Sequence, residues 1–517
     1  MGDSYNYFLI IITVVATVMC FLANIYVLIH FQHPSDRNQA WIPKLVVVFG
    51  LSIAQISVLM LPLDVANQAA CSQDIVRSAC NFTLPMEELW YTVYMIMFIM
   101  IICVIPITMF YYEADSELSF LGRVWSSIQW VLVTLLVVGL TIGIAYGVAG
   151  YVDYPVEAVT AGMVPIGTNL RGMSSCWDVG TVASSPVLGG YKCDATIGEV
   201  DEETWSVRST FPVYVIACVS VAGWALLMVF AGVGVVTLPM DLILSFVNRP
   251  KTIITKSEYI SKATAIHTRA SELQERSKTL MRQERDGART RKWKRNLLEL
   301  NQDLALLEDE EQDLSEVYPQ GDEPDAMWAF TVMNYFLKLV LGILATVVSL
   351  CWVLHIILYM LVDPPVSPFL NDLFIALDAA FSLFGTGSFA LFCFYLICCV
   401  MSGNARLGLS FLLFTAYPMK PNGTMMSSFL FNVGLICLCS ISVIQFCADA
   451  FDVYANETDI QQIYGVQINH LRGLSALYTH NVFVIIFLII AGLSLIWVLV
   501  TCGRPPKKKQ RLEDFDY

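Results

Sequence analysis

The chain has 517 residues, 56% of them hydrophobic and only 14% charged, with a formal net charge of −14. Soluble domains carry charge on about a quarter of their residues, so this composition excludes an ordinary soluble protein and points to a polytopic α-helical membrane protein. Acids and bases are segregated by region, and no surface tract interleaves bases with aromatics, which argues against nucleic acid as a partner. Most of the 15 cysteines lie in apolar runs, where a reduced, buried thiol is the usual state.

A transmembrane helix needs about 20 apolar residues. By that measure nine spans are expected, roughly at 7–30, 42–63, 89–111, 124–149, 212–237, 339–361, 379–402, 427–448 and 481–502. The first run has no basic n-region and no small-residue cleavage site, so it reads as an uncleaved span rather than a signal peptide. The fifth and sixth runs continue past bilayer thickness towards a polar central stretch and are expected to project into water. A tenth apolar run, 407–417, is too short to cross and reads as an interfacial or re-entrant segment. The chain then divides into an N-terminal membrane region, 1–247, with five spans and exoplasmic loops 64–88 and 150–211. A hydrophilic segment, 248–326, a four-span membrane region, 327–502, and a tail, 503–517, follow.

Orientation follows from the Lys/Arg bias of the loops. Starting outside, the loops of one side hold 24 bases, among them the fourteen of 249–295 and the tail cluster Lys507, Lys508 and Lys509. The other side holds five: Arg77, Arg171, Lys192, Arg208 and Arg472. The N-terminus is therefore expected to be exoplasmic and the C-terminus cytosolic. The sequons at Asn81 and Asn456 fall in exoplasmic loops, as glycosylation requires, whereas Asn422 falls on the cytosolic side. Cys71, Cys80, Cys176 and Cys193 lie in exoplasmic loops, where disulfides persist. Local pairs 71–80 and 176–193 are favoured among the three connectivities.

In the hydrophilic segment Tyr259, Ile266, Leu273 and Leu280 recur every seven residues, with Ala263, Ala270 and Ser277 between them. Large residues alternating with small ones suit close helix approach. Asp286-Gly287 marks a turn, after which Leu297, Leu300, Leu304, Leu307 and Leu314 repeat the spacing. The expected architecture is an all-α polytopic membrane protein: nine transmembrane helices with a central cytosolic antiparallel coiled-coil hairpin. An acidic second helix beside a basic first one offsets their charge. A solvated structural hairpin, a docking site for a cytosolic protein over 253–318, and a basic face on anionic membrane lipids all remain open.

Ionisable residues in spans are candidate functional groups because burying them in hydrocarbon is costly. Most here sit near span ends, where anchoring is the plainer role. His355 lies deeper, and a hydrogen bond to a neighbouring helix competes with a functional role. Pro62 with Asp64, and Pro239 with Asp241, place a helix-kinking residue beside a carboxylate; the second pair interrupts the fifth run and is a candidate hinge or polar site. Gly385 and Gly387 permit helix packing or line a cavity. Asp363-Pro364-Pro365 and Pro368 make a stiff turn between spans six and seven. Loop 151–210 carries no metal or catalytic spacing. No His-Glu-x-x-His, Walker A, nucleophile elbow or Gly-x-Gly-Asp-type aspartate pair occurs, so no enzyme activity, cofactor or metal is expected. Cys502 beside the tail lysines could form an acylated, polybasic anchor.

Several stretches are distinctive together: IPKLVVVFGLSIAQISVLMLPLDVAN, IPITMFYYEAD, TLPMDLI, VDPPVSPFLN, SSFLFNVGLICLCSISVIQFC, and the hydrophilic RKWKRN and VYPQG. On these the chain resembles the limb-region-1-like, or lipocalin-interacting membrane receptor (LIMR), family, in its plant and protist branch. The resemblance covers all but 151–200 and the tail. It implies nine spans, an exoplasmic N-terminus and a large central cytosolic loop. It also implies roles described for animal relatives: lipocalin uptake, partnership in lysosomal cobalamin export, and modulation of signalling receptors. The family has no established catalytic motif, so no catalytic residue is carried over, and 151–200 is where a ligand would be expected to differ. The leading functional expectation is a receptor or scaffold coupling an exoplasmic protein or small-molecule ligand to cytosolic trafficking or signalling factors. The alternative is a transporter, or an accessory subunit, for small-molecule (cobalamin-like) or lipid movement. A membrane-embedded enzyme or scramblase ranks third. Plasma membrane and endomembrane (endosome, lysosome or vacuole) are both compatible.

One consequence is directly measurable. Asn81→Gln and Asn456→Gln should each remove one endoglycosidase-sensitive mobility step, and Asn422→Gln none; a glycan on Asn422 would reverse the orientation.

Overall fold

In the computed structural model, the described residues are 7–33, 36, 41–72, 85–114, 119–157, 202–249, 256–285, 324–381, 384–407, 409–411, 414–416, 419, 423–456 and 458–502, with scattered positions from 293 to 318. Among them, nine helices are long and apolar enough to cross a membrane. This is an all-α polytopic membrane protein. In hydrocarbon only internally hydrogen-bonded helices or closed barrels satisfy the backbone, and these runs, apolar on every side, have no alternative.

The helices are α1 (Tyr7–Phe31), α2 (Trp41–Ser72), and α3 (Met86–Ile99), which passes through a π turn into α4 (Ile105–Glu113). Then come α5 (Phe120–Ala149), α6 (Phe211–Val247), α7 (Lys256–Arg285) and α8 (Pro324–His355), which ends in a π turn, Ile356–Met360. The remainder are α9 (Phe369–Ala380), α10 (Phe384–Leu407), α11 (Met426–Ala450), α12 (Ser475–Thr479) and α13 (Val482–Cys502). The α11 span is 83% buried and that of α5 only 6%, so α11 is central and α5 peripheral. At 37 residues, α6 is about 55 Å long, well beyond the roughly 30 Å hydrocarbon core.

Glycines decide how closely α6 is approached. A Cβ at Gly223 would run into the Leu438 carbonyl of α11, one at Gly234 into the Cys399 carbonyl of α10, and one at Gly403 into the Phe230 carbonyl of α6. On α8, Gly342 meets Ile243 of α6, and Ser349 Oγ donates to the Val235 carbonyl at 2.7 Å. Lipid supplies no hydrophobic drive between helices, so such small-residue contacts and interhelical hydrogen bonds hold a bundle together.

Three expectations are corrected. Pro239 does not interrupt the fifth run: α6 continues through it to Val247, with Pro239 buried among neighbouring helices. The tenth apolar run is not a helix in its described residues; it contains two short antiparallel strands, β3 (Leu409–Phe411) and β4 (Phe414–Ala416), since paired strands satisfy a backbone too short to span. The connection between spans six and seven is longer than a turn, because α9 occupies it. The described ends of loop 151–210, on which no expectation was set, form a ribbon: β1 (Tyr151–Glu157) pairs antiparallel with β2 (Glu202–Arg208), in the register Tyr151↔Arg208 to Glu157↔Glu202.

The ribbon β1–β2 marks one end of the bundle, and α7 extends from the other. At that arm end Asp36 accepts hydrogen bonds from Tyr112 Oη at 2.7 Å and from the Met426 amide at 3.2 Å, placing a carboxylate at the α11 N-terminus where the helix dipole favours it. Along α7, Tyr259, Ala263, Ile266, Ala270, Leu273, Ser277 and Leu280 are the less exposed positions. Contacts to the following segment run in reverse order: Tyr259 stacks on Tyr318, Arg269 pairs with Glu310 at 3.0 Å and Arg276 with Asp303 at 3.9 Å, and Trp293 Nε1 donates to Leu280 O. Leu307 and Leu314 are buried there, but Leu304 is exposed, because the acids Asp303 and Glu310 take the facing positions.

The glycine contacts make a prediction. Gly234→Val should destabilise the detergent-solubilised protein by about 1–3 kcal/mol, the usual cost of overpacking, and lower its melting temperature. Gly387, which has open space around its Cα, should accept Ala without effect.

Candidate functional site

At the ribbon end, α6, α8, α11 and the segment 459–484 leave a half-open cavity of about 450 Å³. Trp224 of α6, Tyr359 of the π turn after α8, and Asp449 near the end of α11 all line it, as do Asp452, Asn469 and Tyr478 beyond α11. A helical turn, Asp459–Gln461, passes into a π-helical stretch, Gln462–Ile468. Such widened turns re-aim side chains and recur at functional sites.

The polar side chains form a chain running from the cavity into the bundle. Asn469 Nδ2 donates to Asp449 Oδ1 at 3.2 Å, and Gln445 Nε2 donates to Asn469 Oδ1 at 3.3 Å. Gln445 Oε1 accepts from Trp224 Nε1 at 2.9 Å, from Tyr478 Oη at 3.5 Å, and from Ser220 Oγ. Ser442 Oγ donates to the Ser220 carbonyl at 2.7 Å. Tyr359 Oη donates to Asp452. Burial pushes the Tyr478 phenol up to about 12, so it stays a neutral donor. Trp224 stacks on Phe483 with ring centroids 5.3 Å apart and meets Phe446 edge-on.

The ribbon is tied to this segment. Val152 bridges Leu471, and the Arg472 amide donates to Tyr151 O at 2.8 Å. Arg472 grips Asp153 with Nε and Nη2, each at 2.8 Å, and Nη2 also reaches Ser206 Oγ at 3.0 Å. A bidentate guanidinium–carboxylate pair fixes orientation as well as distance.

The residues singled out from sequence are not brought together. Asp64 is buried and accepts from Trp90 Nε1 at 2.8 Å and from the Ile460 amide at 3.3 Å, joining α2, α3 and the 459 turn; Pro62 lies within the same helix. Asp241 is at the arm end, paired with Arg406 at 2.7 Å. His355 is fully buried, its Nε2 on the Ala450 carbonyl at 2.8 Å, with Tyr359 and Phe451 stacked on its ring. Gly385 stands at the start of α10 against the Phe374 carbonyl and Asp378, while Gly387 meets nothing within 4 Å. Asn456 is exposed. Asn81, Asn422, Cys80, Cys176 and Cys193 lie outside the described residues, as does the side chain of Cys71. Sequence reasoning missed Gln445, Asp452 and Asn469 and treated Asp449 as an anchor. The signal was present: Gln445, Asp449 and Asp452 are spaced i, i+4, i+7, one face of a helix. Among the described residues, no group of His, Cys, Asp and Glu could hold a metal ion.

A family model described as LMBR1-like membrane protein matches residues 9–299 and 250–496. The chain belongs to the LIMR family. Two LIMR family proteins of Arabidopsis thaliana are 45% and 46% identical over 514 residues, 99% of each chain. A LIMR family protein of Dictyostelium discoideum is 32% identical over 530 residues, 98% of this chain and 99% of its own. None of these names states an enzymatic activity, and no solved structure matches. In this LIMR chain the cavity and the ribbon latch are therefore read from their own geometry.

The latch carries a pH prediction. Arg472, and then Ser206, hold the Asp153 carboxyl below the ordinary carboxylate range. A depressed folded-state value means that the contribution is complete above the unfolded value of about 4 and is lost as pH falls through the depressed one. Amide exchange in 151–157, corrected for intrinsic rates, should stay slow down to about pH 4 and rise below it. Asp153→Asn should exchange fast already at neutral pH.

Proposed function

We propose that this LIMR protein is a membrane receptor or scaffold, with its ribbon end exoplasmic and its α7 arm, an antiparallel coiled coil, in the cytosol. The observation that carries this reading is that two helices each connect cavity and arm. Trp224 of α6 lines the cavity, and α6 ends at Val247, nine residues before α7 begins at Lys256. Tyr359 and Met360 line it at the far end of the α8 span, whose helix begins at Pro324, just beyond the arm. Gly342 and Ser349 clamp these two helices together in between, so a shift of one at the cavity is felt by the other and by the arm.

The orientation rests on the Lys/Arg bias, which would otherwise require the most basic tract to cross the membrane. An exoplasmic small molecule or protein is the ligand class for the cavity, and a trafficking or signalling protein is the partner for 253–318. Transport, or an accessory role in it, is the second reading. The polar chain Asn469–Gln445–Ser220 favours it by reaching from the cavity into the bundle. Against it stands the arm-end half, where Gly234 and Gly403 seat α6 and α10 backbone against backbone.

Gly465 lines the cavity, so Gly465→Trp should fill it in a protein that still melts normally. Coupling predicts altered hydrogen exchange over 259–280 and altered recruitment of cytosolic partners, and deletion of 253–318 should abolish recruitment while sparing delivery to the membrane. Unchanged exchange and recruitment in Gly465→Trp, with undiminished recruitment in the deletion, would leave the arm a passive appendage and remove the receptor reading.

A further inference from the structure

Taking the cavity as a ligand site, we infer that it receives a small organic cation bearing N–H donors, a primary or secondary ammonium on an aromatic or aliphatic body. Three observations converge on that class. The first is charge: Asp449 and Asp452 both line the cavity, and among the described lining residues there is no Lys or Arg. Two carboxylates three residues apart at the end of α11 repel each other in a partly desolvated space, and a bound cation relieves that repulsion.

The second is the hydrogen-bond inventory. Several donors of the wall are already used within the protein: Asn469 Nδ2 on Asp449, Tyr359 Oη on Asp452, Tyr478 Oη on Gln445. Asn481 Nδ2 is held by the Met360 carbonyl and Thr479 Oγ1 by the Ser475 carbonyl, both at 2.8 Å. Acceptors are in surplus. A carboxylate offers about four lone-pair sites, and Asp449 and Asp452 each take one donor from the wall. A ligand that supplies donors satisfies the remaining sites; an anion or a pure acceptor does not.

The third is shape. Part of the lining is aromatic, with Trp224 stacked on Phe483 and in edge contact with Phe446. Aromatic faces attract ammonium groups, and a cavity of about 450 Å³ lies in the range that holds small molecules. An acid pair beside aromatic rings discriminates in favour of an amine over a hydrated inorganic ion, which keeps its water and gains little from ring faces.

The test uses the full chain in nanodiscs and four probes of one size: phenethylammonium, benzyltrimethylammonium, 2-phenylethanol and phenylacetate, followed by calorimetry. Phenethylammonium should bind best, the quaternary cation, which lacks N–H donors, more weakly, and the neutral and anionic probes weakest of all. Asp452→Asn and Asp449→Asn should each weaken phenethylammonium at least tenfold with an unchanged melting temperature. If Asp449→Asn misfolds, Asp452→Asn, on the turn beyond the helix, still decides the matter. Failure of phenethylammonium to bind, equal binding of phenylacetate or 2-phenylethanol, Ca²⁺ binding in its place, or undiminished binding by Asp452→Asn would overturn the inference. Amine binding with no change in the α7 arm would instead remove the receptor reading and leave the cation site standing. An anion that binds and alters the arm would do the reverse.

Discussion

The structure depends on the contact between α6 and α11. Both helices are apolar all round, and in lipid such surfaces gain nothing from leaving hydrocarbon. What brings them together is the absence of a side chain at Gly223, which lets α6 lie against the Leu438 carbonyl, and the hydrogen bonds that this approach permits. Ser442 reaches the Ser220 carbonyl, and Gln445 gathers Ser220 and Trp224 on one oxygen. Each bond is modest, about 0.6 kcal/mol on average for interhelical pairs in a bilayer. Their value lies in direction: they set the rotation of α11 about its own axis, and with it the positions of Asp449 and Asp452.

From that contact the two ends of the bundle diverge. Towards the arm, Gly234, Gly403 and Gly342 bring α6, α10 and α8 to backbone distance, and Arg406 closes the end on Asp241 while lying over the Trp497 ring. Towards the ribbon, the same helices are held apart by large side chains, Trp224, Tyr359 and Phe446, and the gap is roofed by the 459–481 segment rather than filled. A bundle packed tightly at one end and spaced at the other has its freedom at the spaced end. Asp64 pins the roof to α2 and α3 through the Ile460 amide and Trp90, and Arg472 pins the ribbon to the roof. The cavity is thus bounded by elements fixed at their far sides, an arrangement that preorganises the cavity walls.

Most of this architecture was legible in the sequence because the bilayer simplifies the problem. About 20 apolar residues must be a helix, and all nine expected spans correspond to helices. The heptad over Tyr259–Leu280 also matches the less exposed face of α7, since periodicity is a local property. What escaped was non-local or balanced. The partners in the β1–β2 ribbon, Tyr151 and Arg208 at one end of its register, lie far apart in sequence, and nothing local reports that Val152 and Trp205 share a sheet. Pro239 lacks an amide hydrogen and was read as a break, yet neighbouring helices hold α6 straight through it, as membrane helices allow. Leu304 has the seam spacing but is exposed, while its neighbour Asp303 pairs with Arg276.

The candidate site shows where reading charges one at a time loses discrimination. Asp64, Asp241, Asp449 and Asp452 look alike in sequence, carboxylates at or near span ends beside apolar runs. They differ in whether the fold has already answered them. Asp241 has a guanidinium at 2.7 Å, and Asp64 accepts an indole and a backbone amide; both are structural joints whose partners are complete. His355 Nε2 is held on the Ala450 carbonyl beneath stacked rings, while its buried Nδ1 has no hydrogen-bond partner. Asp449 and Asp452 each take one neutral donor, from Asn469 and from Tyr359, and share one cavity. An ionisable group in a membrane protein marks a site when its surroundings hold more acceptors than donors, and a joint when the two balance. That balance is a property of three-dimensional neighbours, which is why the i, i+4, i+7 spacing of Gln445, Asp449 and Asp452 could announce a polar stripe but not its use.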